Sequence, residues 1–348
     1  MPSWFDRFGE EWATSGLTDD PTNAQANAGW AFIGQAPPTV EQFNSMFQWS
    51  DNKDNWLFGQ IGNVISSAGM VPDPNDPLQL LKAIQGKLKI KLTANYTIWC
   101  DAVNGNDSNL GTQNSPFRTI QKAIDWSLES LEPARNWVYI QLKPGTYEPF
   151  SMIVPWNGGI LVQGDSANQR SYLIKNTNGV CISAKFGGFI NVQGLSVEAA
   201  GNDTDYNPNG TGMSAFSGGY VSFKDISFGP CSNVHMWAGN GGQVAAVSPI
   251  SYTIYGGARS HMNASVAGVA TNVGCTVTIQ NNPAFTVGFV YAVAGGYMQT
   301  WNSVYTGTAT GKHAWLDSNA VINTGNIAPD THYPGNSPSS ITRGAMYI

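Results

Sequence analysis

Residues 187–199 read GGFINVQGLSVEA and residues 218–230 read GGYVSFKDISFGP, and the two segments align position for position. Phe189 matches Tyr220, Val192 matches Phe223, Leu195 matches Ile226, and Val197 matches Phe228. Apolar residues alternate with small or polar ones in both copies, the period of a half-buried strand. Gly-Gly pairs stand at 158, 187, 218, 241, 256 and 295, and the units opening at 241, 256 and 295 match more loosely, with insertions. One such unit cannot bury its apolar side alone, so copies are expected to stack along an axis. Irregular spacing between the pairs fits loops of variable length joining the strands. The expectation is a β-solenoid rather than a sandwich.

Composition agrees with many short strands and tight turns. Of 348 residues only 11% are charged, against 39 Gly and 32 Asn. Both residues favour turns and left-handed backbone. Abundant aromatics at this low charge exclude intrinsic disorder. The net charge of −6 and the lack of any dense Lys/Arg patch argue against nucleic acid as a partner. No apolar run reaches the ~20 residues of a membrane span, and residues 1–16 lack the apolar core of a signal peptide. Cys100, Cys181, Cys231 and Cys275 form no CxxC pair, so reduced buried thiols are expected. Acids crowd the first half, whereas residues 226–316 contain neither Asp nor Glu and only Arg259 and Lys312 as firm cations. A surface that neutral invites self-association. Burial between identical subunits is one resolution, and cover by Asn, Ser, Thr and Gly is another.

Working outward, residues 1–70 form a separate aromatic module. Thr39 with Gln42 is a capping box ahead of Val40, Phe43 and Phe47 at helical spacing. Three prolines break residues 71–77, a linker leading to a short neck helix near Leu78, Leu81, Ile84 and Leu88. Strands are expected at 96–100 and 137–142, with a helix over 116–126 between them. The loop carrying Asp101, Asn104, Asn106, Asp107 and Asn109 has oxygen ligands but no bidentate Glu in the calcium-loop position, so a structural loop is expected.

YTIWCDAVNGNDSNLGTQNSPFRTIQKAIDW, then VYIQLKPGTYE, then GGILVQGD, resembles the opening of pectin-lyase-like right-handed parallel β-helices. In that pattern the P-F-x-T-I-x-x-A-I helix closes the open end of the solenoid. The first module (GWAFIGQAPPTVEQFNSMFQWSDNKDNWLFGQI) resembles the virion-attachment region of bacteriophage tail fibres and tailspikes, and the YPGNSPSSITRGAMYI ending also resembles tail fibre chains. These resemblances imply an attachment module over 1–70, a linker and neck over 71–95, a β-helix over 96–325 and a C-terminal tail over 326–348. They imply a homotrimer, made in the host cytoplasm and residing in the virion, that meets tail or baseplate proteins through 1–70 and a host surface polysaccharide through the β-helix.

No cofactor or metal motif occurs, and none is expected. A glycoside hydrolase needs two neighbouring carboxylates, and the candidates left by the acid-free stretch are Glu198, Asp203, Asp205 and Asp225. His235, His261 and Arg259 could serve a lyase. Aromatic faces pack on sugar rings, so Trp237, Tyr252, Tyr255, Tyr297, Trp301 and Tyr305, with Trp315, are the glycan-binding candidates. Glycan binding without cleavage is the favoured reading. A capsule or lipopolysaccharide depolymerase is the enzyme alternative, and an adaptor holding another receptor-binding protein is the structural one.

Overall fold

The computed structural model describes residues 14–19, 22, 27, 39–73, 78–85, 89–201, 208–246 and 251–348. Contacts divide the chain into two units, residues 1–89 and 90–348. In the first unit, helix α1 (Val40–Ser67) begins at Thr39, whose hydroxyl accepts from the Gln42 backbone N–H while the Gln42 side chain accepts from the Thr39 N–H. The capping box is present as expected. The rings of Phe43 and Phe47, one turn apart, lie 6.4 Å from each other. Helix α2 (Gln79–Gln85) is the described part of the neck helix. Trp4, Phe5, Phe8 and Trp12 of the aromatic opening, and residues 74–77 of the linker, lie outside the described residues. No described helix is long and apolar enough to cross a membrane.

The second unit is a parallel β-solenoid of three long sheets. Sheet A has ten strands from Tyr96–Cys100 to Met346–Tyr347, sheet B seven from Gly145–Tyr147 to Val304–Thr306, and sheet C eight from Phe150–Met152 to Ser340–Ile341. The chain visits C, A and B in rotation, so each rung pairs in parallel with the next. The register reproduces the sequence alignment: Phe189 faces Tyr220, Val192 faces Phe223, and Val197 faces Phe228. Inward positions stack into continuous columns. Ile190, Val221, Val244, Ala270, Met298 and Ile322 form one such column in sheet A. Ala184, Ala215, Ala238, Ala264, Ala292 and Leu316 form another in sheet C. All of these are sealed from solvent.

The corner between sheets C and A is one turn repeated. Two successive residues take left-handed φ at Phe186-Gly187, Ser217-Gly218, Asn240-Gly241, Val266-Ala267, Ala294-Gly295, Ser318-Asn319 and Arg343-Gly344. The next residue, Gly in five of the seven, lies against the rung before it. A Cβ at Gly219, Gly242, Gly268 or Gly296 would fall 2.1–2.2 Å from the carbonyl oxygen of Ala184, Ala215, Ala238 or Ala264. The turn at 266–268 has no Gly pair, so sequence reading misses it. The Gly256-Gly257 pair serves a different corner, where Gly256 lies against the Gly229–Pro230 backbone.

The first end is closed by helix α3 (Ile120–Ser130), which buries Ile120, Ala123, Ile124 and Ser127. It begins and ends later than the expected 116–126, because Phe117 is drawn into a parallel bridge with Cys100 and Thr119 is the N-cap. Asp107 holds that cap, accepting from the backbone N–H of Arg118 and Thr119 at 2.9 Å each and from the Thr119 hydroxyl. Asp101 accepts from the N–H groups of Val103 and Asn104, which hold its carboxyl below the usual range although its burial pushes upward. The Asn/Asp loop is thus consumed by its own backbone. At the other end, residues 326–348 are not a separate tail. Their strands Ser340–Ile341 and Met346–Tyr347 extend sheets C and A, and Tyr333 is 3% exposed in the core. Likewise the unit starts at Ile90 rather than 96, since Ile90–Lys91 pairs with Leu131–Glu132.

All four cysteines are free and buried, with desolvation pushing the Cys181 thiol up to about 12 and the Cys275 thiol up to about 11. The interior also holds a histidine pair. His235 Nδ1 and His261 Nδ1 are 3.0 Å apart, and Tyr252 Oη is 2.8 Å from His261 Nε2. Rings of Phe228, Phe285 and Phe289 surround them at 5.1–5.8 Å. Burial pushes His235 down to about 3 and His261 well below the usual imidazole range. Both rings are neutral at pH 7, so one Nδ1–H donates to the other ring. The pair is sealed in and cannot serve a lyase.

Two predictions follow from these interiors. Gly242→Ala forces a methyl onto the Ala215 carbonyl and should cost more than about 2 kcal/mol, whereas Gly241→Ala, with open space around it, should cost only the left-handed strain of about 1–2 kcal/mol. Urea unfolding of both variants checks the order. Because both histidines have folded pKa values below the ordinary ~6.5, the unfolded chain takes up the protons as pH falls. Their contribution is complete above pH ~6.5 and declines as pH falls toward the folded values, about 3 for His235, at up to ~1.4 kcal/mol per pH unit for each ring. Unfolding between pH 7.5 and 5 should show that slope, and His261→Gln should reduce it.

Candidate functional site

Along the C–A corner the outward side of sheet C opens into a groove of about 380 Å³. The inward columns require the alternate residues to point out, and their register sets the floor. Trp237, Asn263 and Tyr291 are direct neighbours on three successive rungs, and Trp315 follows on the next. A second outward row passes through Phe216, Gly239, Ser265 and Val293. Asn240, Val266, Ala294 and Ser318, each the first residue of a corner turn, form one rim, and Asp317 stands near the far end.

Packing fixes these side chains. The Phe216 and Trp237 rings meet edge to face at 5.4 Å, and Trp237 Nε1 donates to Ser265 Oγ at 2.8 Å. Trp237 is therefore 6% exposed and serves as floor, while Phe216 and Tyr291 are half-exposed walls. The Tyr291 and Trp315 rings are 5.9 Å apart, and Lys312 Nζ sits 4.7 Å from the Trp315 ring centre. Gly239 keeps the floor open, since a Cβ there would lie 2.5 Å from the Phe216 ring. Asn263 is 4% exposed, and its Oδ1 has no hydrogen-bond partner. Asp317 accepts from the Ser318 N–H and the Thr342 hydroxyl and pairs with Arg343 at 3.2 Å.

The sequence-based candidates scatter over the solenoid. Trp237 lies in the groove. Tyr252 is corrected: at 2% exposure its ring packs on Phe223 and Phe228 inside the solenoid, and it cannot face a ligand. Tyr305 is turned toward the core, its hydroxyl accepting from Asn272 and its ring against Phe289 and Tyr333. Tyr297 is half-buried on sheet A, and Trp301, 39% exposed, stands in the turn just past the same strand, so neither lines the groove. Tyr255 belongs to a cluster on sheet B. Its hydroxyl bonds Glu198 at 3.1 Å and Ser196 at 2.9 Å, and the Arg170 guanidinium lies 4.0 Å above its ring. Burial pushes that hydroxyl up to about 12.

Among the carboxylates, Glu198 is paired with Lys175 at 3.2 Å. Asp225, in a left-handed turn, accepts from Ser166. Asp203 and Asp205 lie outside the described residues. Among the described residues the groove has one carboxylate, Asp317, and no group of His, Cys, Asp and Glu is placed to hold a metal ion. Asn263 and Tyr291 were missed by sequence reading, although a signal exists. Ser214, Trp237, Asn263, Tyr291 and Trp315 each stand four residues before the second left-handed position of a corner turn.

The comparisons with known proteins bear on part of the chain. A family model described as a protein of unknown function (DUF1565) matches residues 103–204, less than a third of the sequence. No curated protein matches. Among solved structures, rice weevil pectin methyl esterase is 10% identical, with 95% of this chain and 90% of that chain covered and a TM-score of 0.34. The Escherichia coli protein ybhc is 10% identical, with 94% and 87% covered and a TM-score of 0.30. The GH136 lacto-N-biosidase from Eubacterium ramulus is 8% identical, with 88% and 72% covered and a TM-score of 0.27. The parallel solenoid itself rests on this chain's own strand register.

Proposed function

We propose that the solenoid is a receptor-binding module that lays a cell-surface glycan along the groove of sheet C. The observation that carries this reading is the row Trp237, Asn263 and Tyr291, with Phe216 beside it, where aromatic faces and an amide alternate on a rigid floor. Strands in neighbouring rungs lie ~4.8 Å apart, so Trp237 and Tyr291 stand ~10 Å apart along the axis. That separation suits pyranose rings laid end to end, with C–H faces on the aromatics and hydroxyls on Asn263, Ser265 and Asn240. The groove's single carboxylate favours binding over paired-carboxylate hydrolysis.

In the fuller form of this reading, the chain is a homotrimeric phage tail fibre or tailspike, attached to tail or baseplate proteins of the virion through residues 1–70. The likeness of that module to virion-attachment regions supports it, as does the acid-free stretch 226–316, which spans most of the groove.

Retention on immobilised host polysaccharide tests the binding. Tyr291→Ala and Phe216→Ala should each weaken it by about 1–3 kcal/mol, the scale of a truncated aromatic anchor. Trp301→Ala should leave it unchanged. Tyr252→Ala should instead destabilise the fold by about 3–5 kcal/mol. The parent chain should release no new reducing ends, and their appearance would overturn binding without cleavage. Light scattering should give three times the 37.3 kDa of the single chain, and a particle of one chain would sink the trimer.

A further inference from the structure

The groove's polar lining is specific about charge. Among the described residues its side chains include no Lys or Arg, and its one carboxylate is that of Asp317. That carboxylate is already engaged by Arg343, Thr342 and the Ser318 N–H. The Ser265 hydroxyl accepts from Trp237 Nε1 and keeps its own proton for an outside acceptor. At the middle of the row, Asn263 Oδ1 is an acceptor sealed from solvent without a partner. Buried polar atoms are nearly always satisfied. The orphaned oxygen sits between the two aromatic rungs where a ring would rest, and Asn263 lines the groove there.

We infer that the groove selects neutral glycans and discriminates against uronate-, sulfate- or phosphate-bearing ones, with Asn263 and Asp317 as the selecting residues. This rests on the glycan reading above and gives it a substrate class. A turn of the Asn263 side chain toward the groove brings Oδ1 to a hydroxyl or acetamido N–H of a neutral sugar, which donates to it, and a ring hydroxyl accepts from Ser265. An anionic substituent in the same place gains no cation from the lining, and at the far end Asp317 holds the nearby Arg343 in an ion pair and so keeps it from such a substituent. A charge drawn from water into a partly dry site without a partner is costly. The loop of Asn168, Gln169 and Arg170 over sheet B is a separate pocket of about 350 Å³, where the guanidinium is held by Tyr255 and Gln280. It offers the opposite charge, so mutation has to show which surface a given ligand uses.

The test is a printed array of neutral and acidic bacterial-type oligosaccharides probed with the full chain, followed by calorimetry on the strongest member of each class. The expected result is binding to neutral members at least about tenfold tighter than to acidic ones of equal length. Asn263→Leu should lower affinity for the neutral ligand by about tenfold or more, with the thermal unfolding midpoint as the check on folding. Asp317→Asn keeps an acceptor for Ser318 and Thr342 but removes the charge. It should therefore raise acidic binding several-fold, so that the preference for neutral over acidic ligands shrinks. Acidic ligands binding as tightly as neutral ones, and lost in Tyr291→Ala, would overturn the selectivity while leaving the groove as the glycan site. Insensitivity of the preference to Asp317→Asn would also overturn it. Binding of no glycan at all would overturn the selectivity and the glycan reading together.

Discussion

The solenoid depends on how closely one rung can approach the next at the C–A corner. Parallel strands must sit ~4.8 Å apart to share hydrogen bonds. At the corner the chain turns through two left-handed residues, and the third meets the carbonyl of the rung before it. A missing Cβ at Gly219, Gly242, Gly268 and Gly296 makes that approach possible. The Ala184–Ala292 column supplies the complementary requirement inside, because small side chains behind those carbonyls keep the corner narrow. With the corner set, sheet A receives its strands in register, and the interior columns follow.

The same corner shapes the groove. Its turns place Asn240, Val266, Ala294 and Ser318 along one edge, and its narrow interior pushes large residues outward on sheet C. Trp237, Phe216, Tyr291 and Trp315 are there because the inward positions of the same strands are Met, Ala, Val and Leu. Longer connections lie at another corner, between sheets B and C, where residues 280–289 and 307–313 carry an extra strand pair, Ala284–Phe285 with Thr310–Gly311, and send Phe285 and Phe289 into the core.

The architecture was legible in the sequence where local signals coincide with register. Residues 187–199 and 218–230 pair in the register their alignment implies, and Thr39 with Gln42 caps α1 as read. The turn at 266–268 was not legible, because Val266 and Ala267 take left-handed conformations that sequence assigns to Gly or Asn. Gly256-Gly257 misled for the converse reason: a close approach, not that corner turn, demands Gly256. The site was less legible still. Tyr252 and Tyr291 both lie on alternating strands among Asn, Ser and Thr, yet one is core and the other is wall. Alternation gives two faces without saying which is inside, and only distance from the corner turn resolves it.

A groove built from repeated rungs behaves as a ruler. Each added rung would extend the binding row by one strand spacing, ~4.8 Å, without redesign of the floor, because stability in a stack is a sum of neighbour terms. Duplication or loss of a single unit, such as residues 218–240, would therefore change the length of polymer the chain can measure while leaving the chemistry at each position intact. Length specificity and residue specificity are in this way carried by separate features, the number of rungs and the identity of the residue three places before each turn begins.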